Sequence, residues 1–227
     1  MRENKKYEAM LSQEERIAVD QSVTQEANYH DAIVNALACH RTMLDLALAQ
    51  FTMRAMVLTE VVTQLVETLR TGHKVLVAGN GGSAAEAQHF AAELVGRFKL
   101  DRAPYAVLSL TTDSSILTAV ANDYGYQDVF ARQVLALGQP GDLLIAFSTS
   151  GESENLVRAA VAAQRCLMTV VAITGDRPNR LECLADVTVH VPVVDTALAQ
   201  ELHMVVTHIL CDIAETELAA CEGDAAQ

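Results

Sequence analysis

The chain has few aromatic and few basic residues. It contains no Trp, its aromatic content is 4%, and 16 Lys and Arg stand against 29 Asp and Glu in 227 residues. The formal net charge of -13 at pH 7 and the pI of about 4.8 argue against non-specific nucleic-acid binding, which needs clustered Lys and Arg. An anionic small molecule is not excluded, because backbone N–H groups and hydroxyls can hold a phosphate without a basic side chain.

The chain also lacks the patterns of exported and membrane proteins. Its five cysteines are scattered and include no Cys-x-x-Cys pair, which favours free thiols in a reducing compartment over a disulfide framework. Residues 1–6 are charged and lead into no apolar segment, so we expect no secretory signal. No uninterrupted run reaches the ~20 apolar residues of a membrane span. These absences predict a cytoplasmic protein with neither a membrane nor a nucleic acid as partner.

What the chain does have is aliphatic content and a regular alternation of patterns. Apolar residues make up 51% of it, and its length suits one α/β domain with additional helices. Residues 1–28 are polar and predict a frayed helix or a disordered arm. Two helical patterns extend from residue 31 to about residue 69, and a long final helix covers about 196–220. The predicted strands are residues 74–78, 105–110, 143–147, 169–174 and 187–191.

Four further helical patterns lie between these strands, at residues 83–98, 114–121, 126–137 and 153–164. Short apolar strands that alternate with helices are typical of βαβ units, which place the strands in a parallel sheet with helices on its faces.

A glycine-rich turn follows the first predicted strand. Residues 79–82 read Gly-Asn-Gly-Gly, and Ser83 stands where it would cap the next helix. The exposed backbone N–H groups of such a turn and the positive end of the helix favour an anion. With Ala84 the segment also fits a dinucleotide fingerprint, but Asp113 comes late for the acidic residue that such a site needs. A phosphate site is therefore the favoured interpretation.

The helix after this turn carries His89 and Glu93 on one face, four residues apart. Such a pair can ligate a metal or act as an acid and a base. It can equally be an ion pair on the surface of the helix. Both interpretations remain open at this point.

A second anion site is predicted after the third strand. Residues 148–153 read Ser-Thr-Ser-Gly-Glu-Ser, which places four hydroxyls and a glycine between a strand and a helix. In a parallel sheet this junction lies at the carboxyl ends of the strands, where ligands bind. An ordinary cluster of N-cap residues is the alternative, although one capping residue would be sufficient.

Taken together, these motifs resemble the sugar isomerase (SIS) domain family, and within it the phosphoheptose isomerases. The resemblance spans about residues 29–215 and is carried by residues 79–83, 89–94, 121–125, 148–151 and 200–208. It implies a single SIS domain over residues 29–227, with N-terminal helices and a flavodoxin-like, doubly wound, five-stranded parallel sheet. It also implies a homotetramer with active sites between subunits.

The resemblance implies an aldose–ketose isomerase that converts sedoheptulose 7-phosphate into D-glycero-D-manno-heptose 7-phosphate. This reaction begins the synthesis of nucleotide-activated heptose for lipopolysaccharide or other surface glycans. One zinc ion per subunit is implied, with His89, Glu93, Gln200 and His208 as ligands and with Glu93 and His208 as the acid/base pair. The residues implied in substrate binding are Asn80, Gly81, Gly82, Glu93, Asn122, Asp123, Ser148, Thr149, Ser150, Ser153 and Gln200.

Some of these assignments conflict with simple chemistry. A Glu93 carboxylate bound to zinc is a weaker base. Gln200 and His208 lie eight residues apart, about 12 Å along a straight helix, so one metal needs an irregular helix start or ligands from two subunits. Glu86 stands where relatives carry Asp, which leaves a base role at that position open. His203 is interpreted as a structural or supporting histidine.

Two other functions compete with the isomerase. A non-catalytic SIS protein that binds the replication initiator DnaA would share the fold and the glycine-rich turn. We expect such a protein to lack Glu93 and His208, and both are present. A sugar-sensing transcriptional regulator would need a helix-turn-helix domain and a basic face, and the acidic N-terminal region supplies neither.

Overall fold

The computed structural model describes the backbone of residues 13–225 and the side chains of residues 28–220. The chain divides into two compact units, residues 1–48 and 49–227. Helix α1, Gln13–Thr52, supplies the described part of the first unit. The polar arm predicted for residues 1–28 is thus helical from Gln13 onward, and its residues 1–12 lie outside the described part of the chain.

Helix α1 exposes many apolar side chains. Tyr29, Ile33 and Leu37 follow one another at four-residue spacing and are 58%, 59% and 65% exposed. The segment Asn28–Thr52 is long enough to cross a membrane. An 18-residue window within it has a mean hydropathy of 1.2, and only 6% of that window is buried. Length and composition alone are weak evidence for a membrane span, because core helices of soluble proteins and signal sequences have the same properties.

The second unit contains a five-stranded, all-parallel sheet. Its strands are β1 Val75–Gly79, β2 Val107–Ser109, β3 Leu143–Ser148, β4 Thr169–Thr174 and β5 Val187–His190, in the order β2-β1-β3-β4-β5. This is the flavodoxin-like order of a doubly wound sheet, so the predicted fold class is confirmed. β1 and β3 are buried along their whole length, as expected when helices cover both faces.

Six further α-helices and one 3₁₀ turn are described in this unit. They are α2 Ala55–Arg70, α3 Gly82–Val95, α4 Ser114–Tyr124, the 3₁₀ turn Tyr126–Asp128, α5 Ala131–Leu137, α6 Glu154–Arg165 and α7 Thr196–Ala225. Helices α5 and α6 pack on each other, and α6 contacts β3 and β4. Helices α2 and α3 both contact α7, and these contacts determine where the side chains of α3 and α7 meet.

Alternate residues of the strands serve the two faces of the sheet. Leu144 and Ala146 of β3 belong to the core cluster that contains α5 and α6. Phe147, the next residue, contacts Phe90 of α3 and His203 of α7 across ring centroid distances of 6.4 Å and 6.0 Å. The apolar run of β3 is therefore continuous because both of its faces are covered.

Several predicted boundaries need correction. Helix α3 is capped by Gly81, whose φ of 57° favours glycine, while Ser83 lies buried inside the first turn and makes no cap. The helix predicted over 126–137 is divided into the 3₁₀ turn and α5. The first helix that the structure describes spans Gln13–Thr52, so helical structure extends well before the start predicted at residue 31. The strand predicted over 105–110 is limited to Val107–Ser109.

Candidate active site

Helices α3 and α7 bring three of the predicted metal ligands together. His89 Nε2 lies 3.0 Å from Glu93 Oε1 and 3.0 Å from His208 Nε2. Potential ligand atoms of the three residues all lie within 4.8 Å of one another. His89 and Glu93 share one face of α3 because they are four residues apart, and the packing of α7 against α3 places His208 beside them.

The cluster has the chemistry of a zinc site. Two imidazoles and a carboxylate are a known donor set for catalytic zinc, and ligand atoms at about 2.1 Å from a tetrahedral ion lie roughly 3.4 Å apart. The separations of 3.0 Å within the cluster are close to this value. In addition, two imidazole nitrogens that face each other at 3.0 Å need a proton or a cation between their lone pairs. His89, Glu93 and His208 therefore fit the metal that the family resemblance implies.

Gln200 lies beside a cavity of about 450 Å³ that His89 also lines. A Cβ atom at Gly82 would collide with the Gln200 amide, so the glycine leaves room for this amide in its present position. Helix α7 is regular from Thr196 onward, and the irregular helix start that could bring Gln200 to the metal is not observed. The residues that line this cavity are Gly82, Ala85, Glu86, His89, Ala197, Gln200, Glu201 and Met204.

Asn80 connects three segments that the sequence analysis implicated separately. Its Oδ1 accepts hydrogen bonds from Tyr126 Oη at 2.9 Å and from Asn155 Nδ2 at 2.8 Å, and its Nδ2 donates to Asn155 Oδ1 at 2.9 Å. The turn after β1, the 3₁₀ turn and the start of α6 are thereby joined. Most of the Asn80 side-chain amide is used in these bonds, and its backbone carbonyl accepts the Ser83 amide at 3.0 Å. One side-chain N–H remains for a ligand.

The loop after β3 keeps several hydroxyl donors available. Ser148 Oγ accepts from the Gly151 amide at 3.0 Å, and Ser150 Oγ accepts from the Glu152 amide at 3.2 Å. Each of these hydroxyls can still donate its proton. Ser153 is the N-cap of α6 but makes no capping bond with its side chain. Together with the first amides of α6, which have no acceptor within the helix, these groups form a suitable anion site.

Asn122 and Asp123 lie exposed near the C-terminus of α4. Asn122 Nδ2 donates to Asp123 Oδ1 at 2.8 Å. Neither residue belongs to the His89–Glu93–His208 group. Tyr126, which follows shortly after them, reaches Asn80, so the segment runs beside the glycine-rich turn.

The structure also pairs Glu86 with His203. Glu86 Oε2 lies 3.2 Å from His203 Nδ1, and the two side chains are 4% and 0% exposed. Among residues 28–220, neither Glu86 Oε1 nor His203 Nε2 has a hydrogen-bond partner. The pair crosses from α3 to α7, as the His89–His208 contact does. A buried pair between the two helices is consistent with the interpretation of His203 as a supporting residue, with Glu86 as its partner.

Sequence reasoning missed Tyr126 and Asn155, and it left Glu86 without a partner. The only local signals were that Tyr126 follows the segment 121–125 and that Asn155 lies in the first turn of the helix after residues 148–153. Cys211, close to His208 in sequence, is excluded as a thiolate. Burial and then the nearby carboxylate of Glu93 raise its pKa to about 12, so it stays a neutral thiol.

Comparisons with known proteins identify the family of the chain. The SIS domain family matches residues 41–175. Phosphoheptose isomerase from Helicobacter pylori strain P12 is 50% identical over 155 residues, which cover 68% of this chain and 81% of the relative.

Two solved structures have the same fold. The phosphoheptose isomerase GmhA from Neisseria gonorrhoeae is 37% identical, with a TM-score of 0.76 over 81% of this chain and 99% of that chain. A phosphoheptose isomerase from Francisella tularensis is 34% identical, with a TM-score of 0.72 over 86% and 98%. The chain therefore belongs to the SIS domain family, among its phosphoheptose isomerases.

Proposed function

We propose that the chain converts sedoheptulose 7-phosphate into D-glycero-D-manno-heptose 7-phosphate. The observation that carries the proposal is the convergence of Glu93, His89 and His208 within 4.8 Å, in a unit whose two strand-to-helix loops offer anion sites. An aldose–ketose isomerase needs this combination, because it must hold a phosphate and move a proton between adjacent carbons.

Glu93 and His208 divide the proton transfers. The Glu93 carboxylate takes a proton from C1 of the ketose, and the electrons form the C1=C2 bond of an enediol. The same carboxylic acid returns a proton to C2. His208 Nε2 faces His89, so we assign to His208 Nδ1 the proton supplied to the C2 oxygen and the proton accepted from the C1 oxygen. Glu93 Oε1 faces His89, so we assign the proton transfer to Oε2. No proton is gained or lost overall.

We propose one zinc ion per subunit, held by His89, Glu93 and His208 with Gln200 as the fourth ligand. The metal would polarise the two substrate oxygens as a Lewis acid. The donor set and the distances within the cluster support the first three ligands. Gln200 lines a cavity with His89, but α7 is regular from Thr196, so we propose that the fourth ligand is the Gln200 of a neighbouring subunit. His89 is the residue that holds the cluster together, because its Nε2 contacts both of the others.

The substrate is held by the groups around the cleft. We propose that Ser148, Thr149, Ser150 and Ser153 surround the phosphate. Hydroxyl and amide donors can do this without a basic side chain. The sugar hydroxyls are assigned to a second set, which comprises Asn80, Gly81, Gly82, Glu93, Asn122, Asp123 and Gln200.

The biological setting is also a proposal. The SIS domain would extend over residues 29–227, and the product would enter the synthesis of nucleotide-activated heptose for lipopolysaccharide or related glycans. Sugar phosphates are intracellular metabolites, and the acidic chain with unpaired cysteines suits the cytoplasm. The exposed apolar stripe on α1 supports a homotetramer, because a monomer would leave that stripe in water.

Incubation of the purified protein with sedoheptulose 7-phosphate tests the proposal. Turnover to the aldose, followed by NMR, should occur, and chelation followed by addition of zinc should remove and restore it. A folded, zinc-loaded protein without turnover would contradict the isomerase. If turnover is insensitive to chelation and no metal is bound, only the zinc assignment fails. The DnaA-binding alternative has no support in the comparisons, and it requires an inactive wild type.

A further inference from the structure

A buried carboxylate on α7 fastens the loop that follows α3. Glu215 Oε1 accepts hydrogen bonds from the Phe98 amide at 2.9 Å and from Arg102 Nε at 3.0 Å. Its Oε2 accepts from the amides of Lys99 and Leu100 at 2.6 Å and 2.9 Å. The Glu215 side chain is 1% exposed. Four donors therefore converge on one carboxylate, and every one of its oxygens is used.

The guanidinium that pairs with Glu215 also reaches the last turn of α3. Arg102 Nη2 donates to the Glu93 carbonyl at 3.0 Å, and Nη1 donates to the Leu94 carbonyl at 2.8 Å. The Arg102 side chain is 3% exposed. The backbone of Glu93 is thus connected through Arg102 to the helix that carries His208.

The loop places an aromatic ring against the His208 imidazole. The rings of Phe98 and His208 are stacked, with centroids 5.6 Å apart and an interplanar angle of 28°. Lys99 Nζ lies 5.2 Å from the centroid of the Phe98 ring and donates a hydrogen bond to Asp212 Oδ2 at 2.7 Å. The Phe98 ring therefore contacts both the ammonium group and the His208 imidazole, and it packs against one face of that imidazole.

We propose that Glu215 is a positioning residue of the isomerase, which fixes the His208 imidazole and the Glu93 backbone through the loop 96–102. The inference rests on the proposed roles of Glu93 and His208. A proton transfer needs its donor and acceptor in place to within a fraction of an ångström, and a displacement of about 1 Å can reduce the rate by about 10²-fold. The hydrogen bonds of Glu215 go to residues 98–102, so we infer that its effect passes through Phe98 and Arg102.

The substitution Glu215→Gln tests this role with little change in volume. Whichever way the new amide is turned, its NH₂ group faces two N–H donors, so the loop loses its fixed attachment. We expect kcat to fall by ~10- to 100-fold while KM for the sugar phosphate stays within about twofold, because the loop after β3 is unchanged. Glu217→Gln is the matched control, since Glu217 is exposed on the same helix two residues later.

A spectroscopic measurement separates positioning from general stability. The ring current of Phe98 shifts the carbon-bound protons of the His208 imidazole in the NMR spectrum, and His208→Asn identifies those signals by their loss. Phe98→Leu should abolish the shift and lower kcat while leaving the Glu215 bonds in place. Glu215→Gln should displace the same signals, and Glu217→Gln should leave them unchanged.

The possible failures are distinguishable. If Glu215→Gln keeps both the wild-type kcat and the His208 signals, the positioning role is refuted. If Glu215→Gln does not fold, Phe98→Leu decides, and an unchanged kcat in that variant refutes the role. If His208→Asn is as active as the wild type, the proposed role of His208 fails, irrespective of Glu215.

Discussion

At the scale of single residues, the chemistry depends on what His89 contacts. Its Nε2 lies 3.0 Å from both Glu93 and His208, so the two proposed proton-transfer groups share one neighbour. A metal bound to the His89 imidazole would require that imidazole in its neutral form. It would also leave Glu93 with one oxygen for the substrate. The apparent conflict between Glu93 as ligand and Glu93 as base is thereby reduced to a division between its two oxygens.

The substitution Glu93→Gln keeps the shape of the side chain and removes the base. We expect kcat to fall by ~10²-fold or more, because positioned acid/base groups contribute 10²–10⁴ to a rate. His208→Asn should lower kcat by a comparable factor. KM should change less, because the loop after β3 that is proposed to hold the phosphate is intact. Steady-state kinetics and incorporation of solvent deuterium into the product provide the measurement. Glu217→Gln serves as the control, and wild-type rates in both active-site variants would contradict the assignment of roles.

Glu86 gives a second prediction at this scale. Glu86→Ala removes the partner of His203 and leaves a buried imidazole nitrogen unsatisfied, which costs ~1–3 kcal/mol. Glu86→Gln retains an oxygen acceptor, so its free energy of unfolding should lie close to the wild-type value. Urea denaturation measures both. If Glu86 acts as a base, Glu86→Gln should instead lower kcat by as much as Glu93→Gln does.

At the scale of helices, strands and loops, local patterns predicted the elements better than their ends. Short apolar runs identified all five strands, because a strand covered on both faces must be apolar throughout. Helix α3 begins at Gly82, before the start predicted from a Ser83 cap, because the N-cap is Gly81 with its positive φ. The bonds of Asn80 with Tyr126 and Asn155 could not be predicted, since they join residues 46 and 75 positions apart.

In the candidate site, too, local spacing predicted the contacts within one helix but not the contacts between distant segments. His89 and Glu93 could be paired from sequence, because their spacing on one helix brings them together. His208 lies 119 positions from His89, and only the resemblance to a known family indicated it. Glu215 and Phe98 gave no signal, because their roles arise from the packing of α7 against the loop after α3.

The loop after β3 should control substrate affinity. Thr149→Val removes one hydroxyl and keeps the branched shape, and Ser148→Ala removes a second. A hydrogen bond to a charged group is worth about 1.5–3 kcal/mol, so loss of one should raise KM by about 10- to 100-fold. Thr63→Val, at an exposed position of α2, is the control for the same chemical change. An unchanged KM in the double variant would reduce this loop to a helix cap.

The edge where β1 and β3 begin should be sensitive to acid. Burial raises the pKa of Asp142, but hydrogen bonds from the Lys74 side chain, the Lys74 amide and the Gln139 amide lower it by more, so the net pKa lies below its usual value. The stabilisation is therefore complete above the unfolded-state pKa of about 3.9 and is lost as the pH falls through the lower folded-state pKa. The difference in unfolding free energy between the wild type and Asp142→Asn should be largest near pH 7 and should shrink below about pH 4. A difference that is independent of pH would contradict this assignment.

At the scale of the whole molecule, the acidic net charge and the exposed apolar row of α1 have opposite effects on association between copies of the chain. A net charge of -13 keeps copies apart, whereas Tyr29, Ile33 and Leu37 offer a continuous apolar row to a partner. Homo-oligomers with closed symmetry bury such rows against copies of themselves. A membrane would cover the same side chains, and the length and composition of Asn28–Thr52 alone do not distinguish the two environments.

Substitutions on α1 decide between these environments and test the tetramer. Ile33→Glu with Leu37→Glu should shift the protein from a tetramer to smaller species in sedimentation, because each buried apolar side chain contributes about 1.5–3 kcal/mol and like charges would then meet at the interface. Activity should fall with assembly, since the proposed active sites lie between subunits. Asn35→Glu adds one negative charge to the opposite side of the helix, where the residue is exposed, and should leave the proposed tetramer intact. The wild type should appear in the soluble fraction of the cell. A monomeric and active wild type would contradict the assembly, and recovery in the membrane fraction that the double substitution abolishes would assign the stripe to lipid.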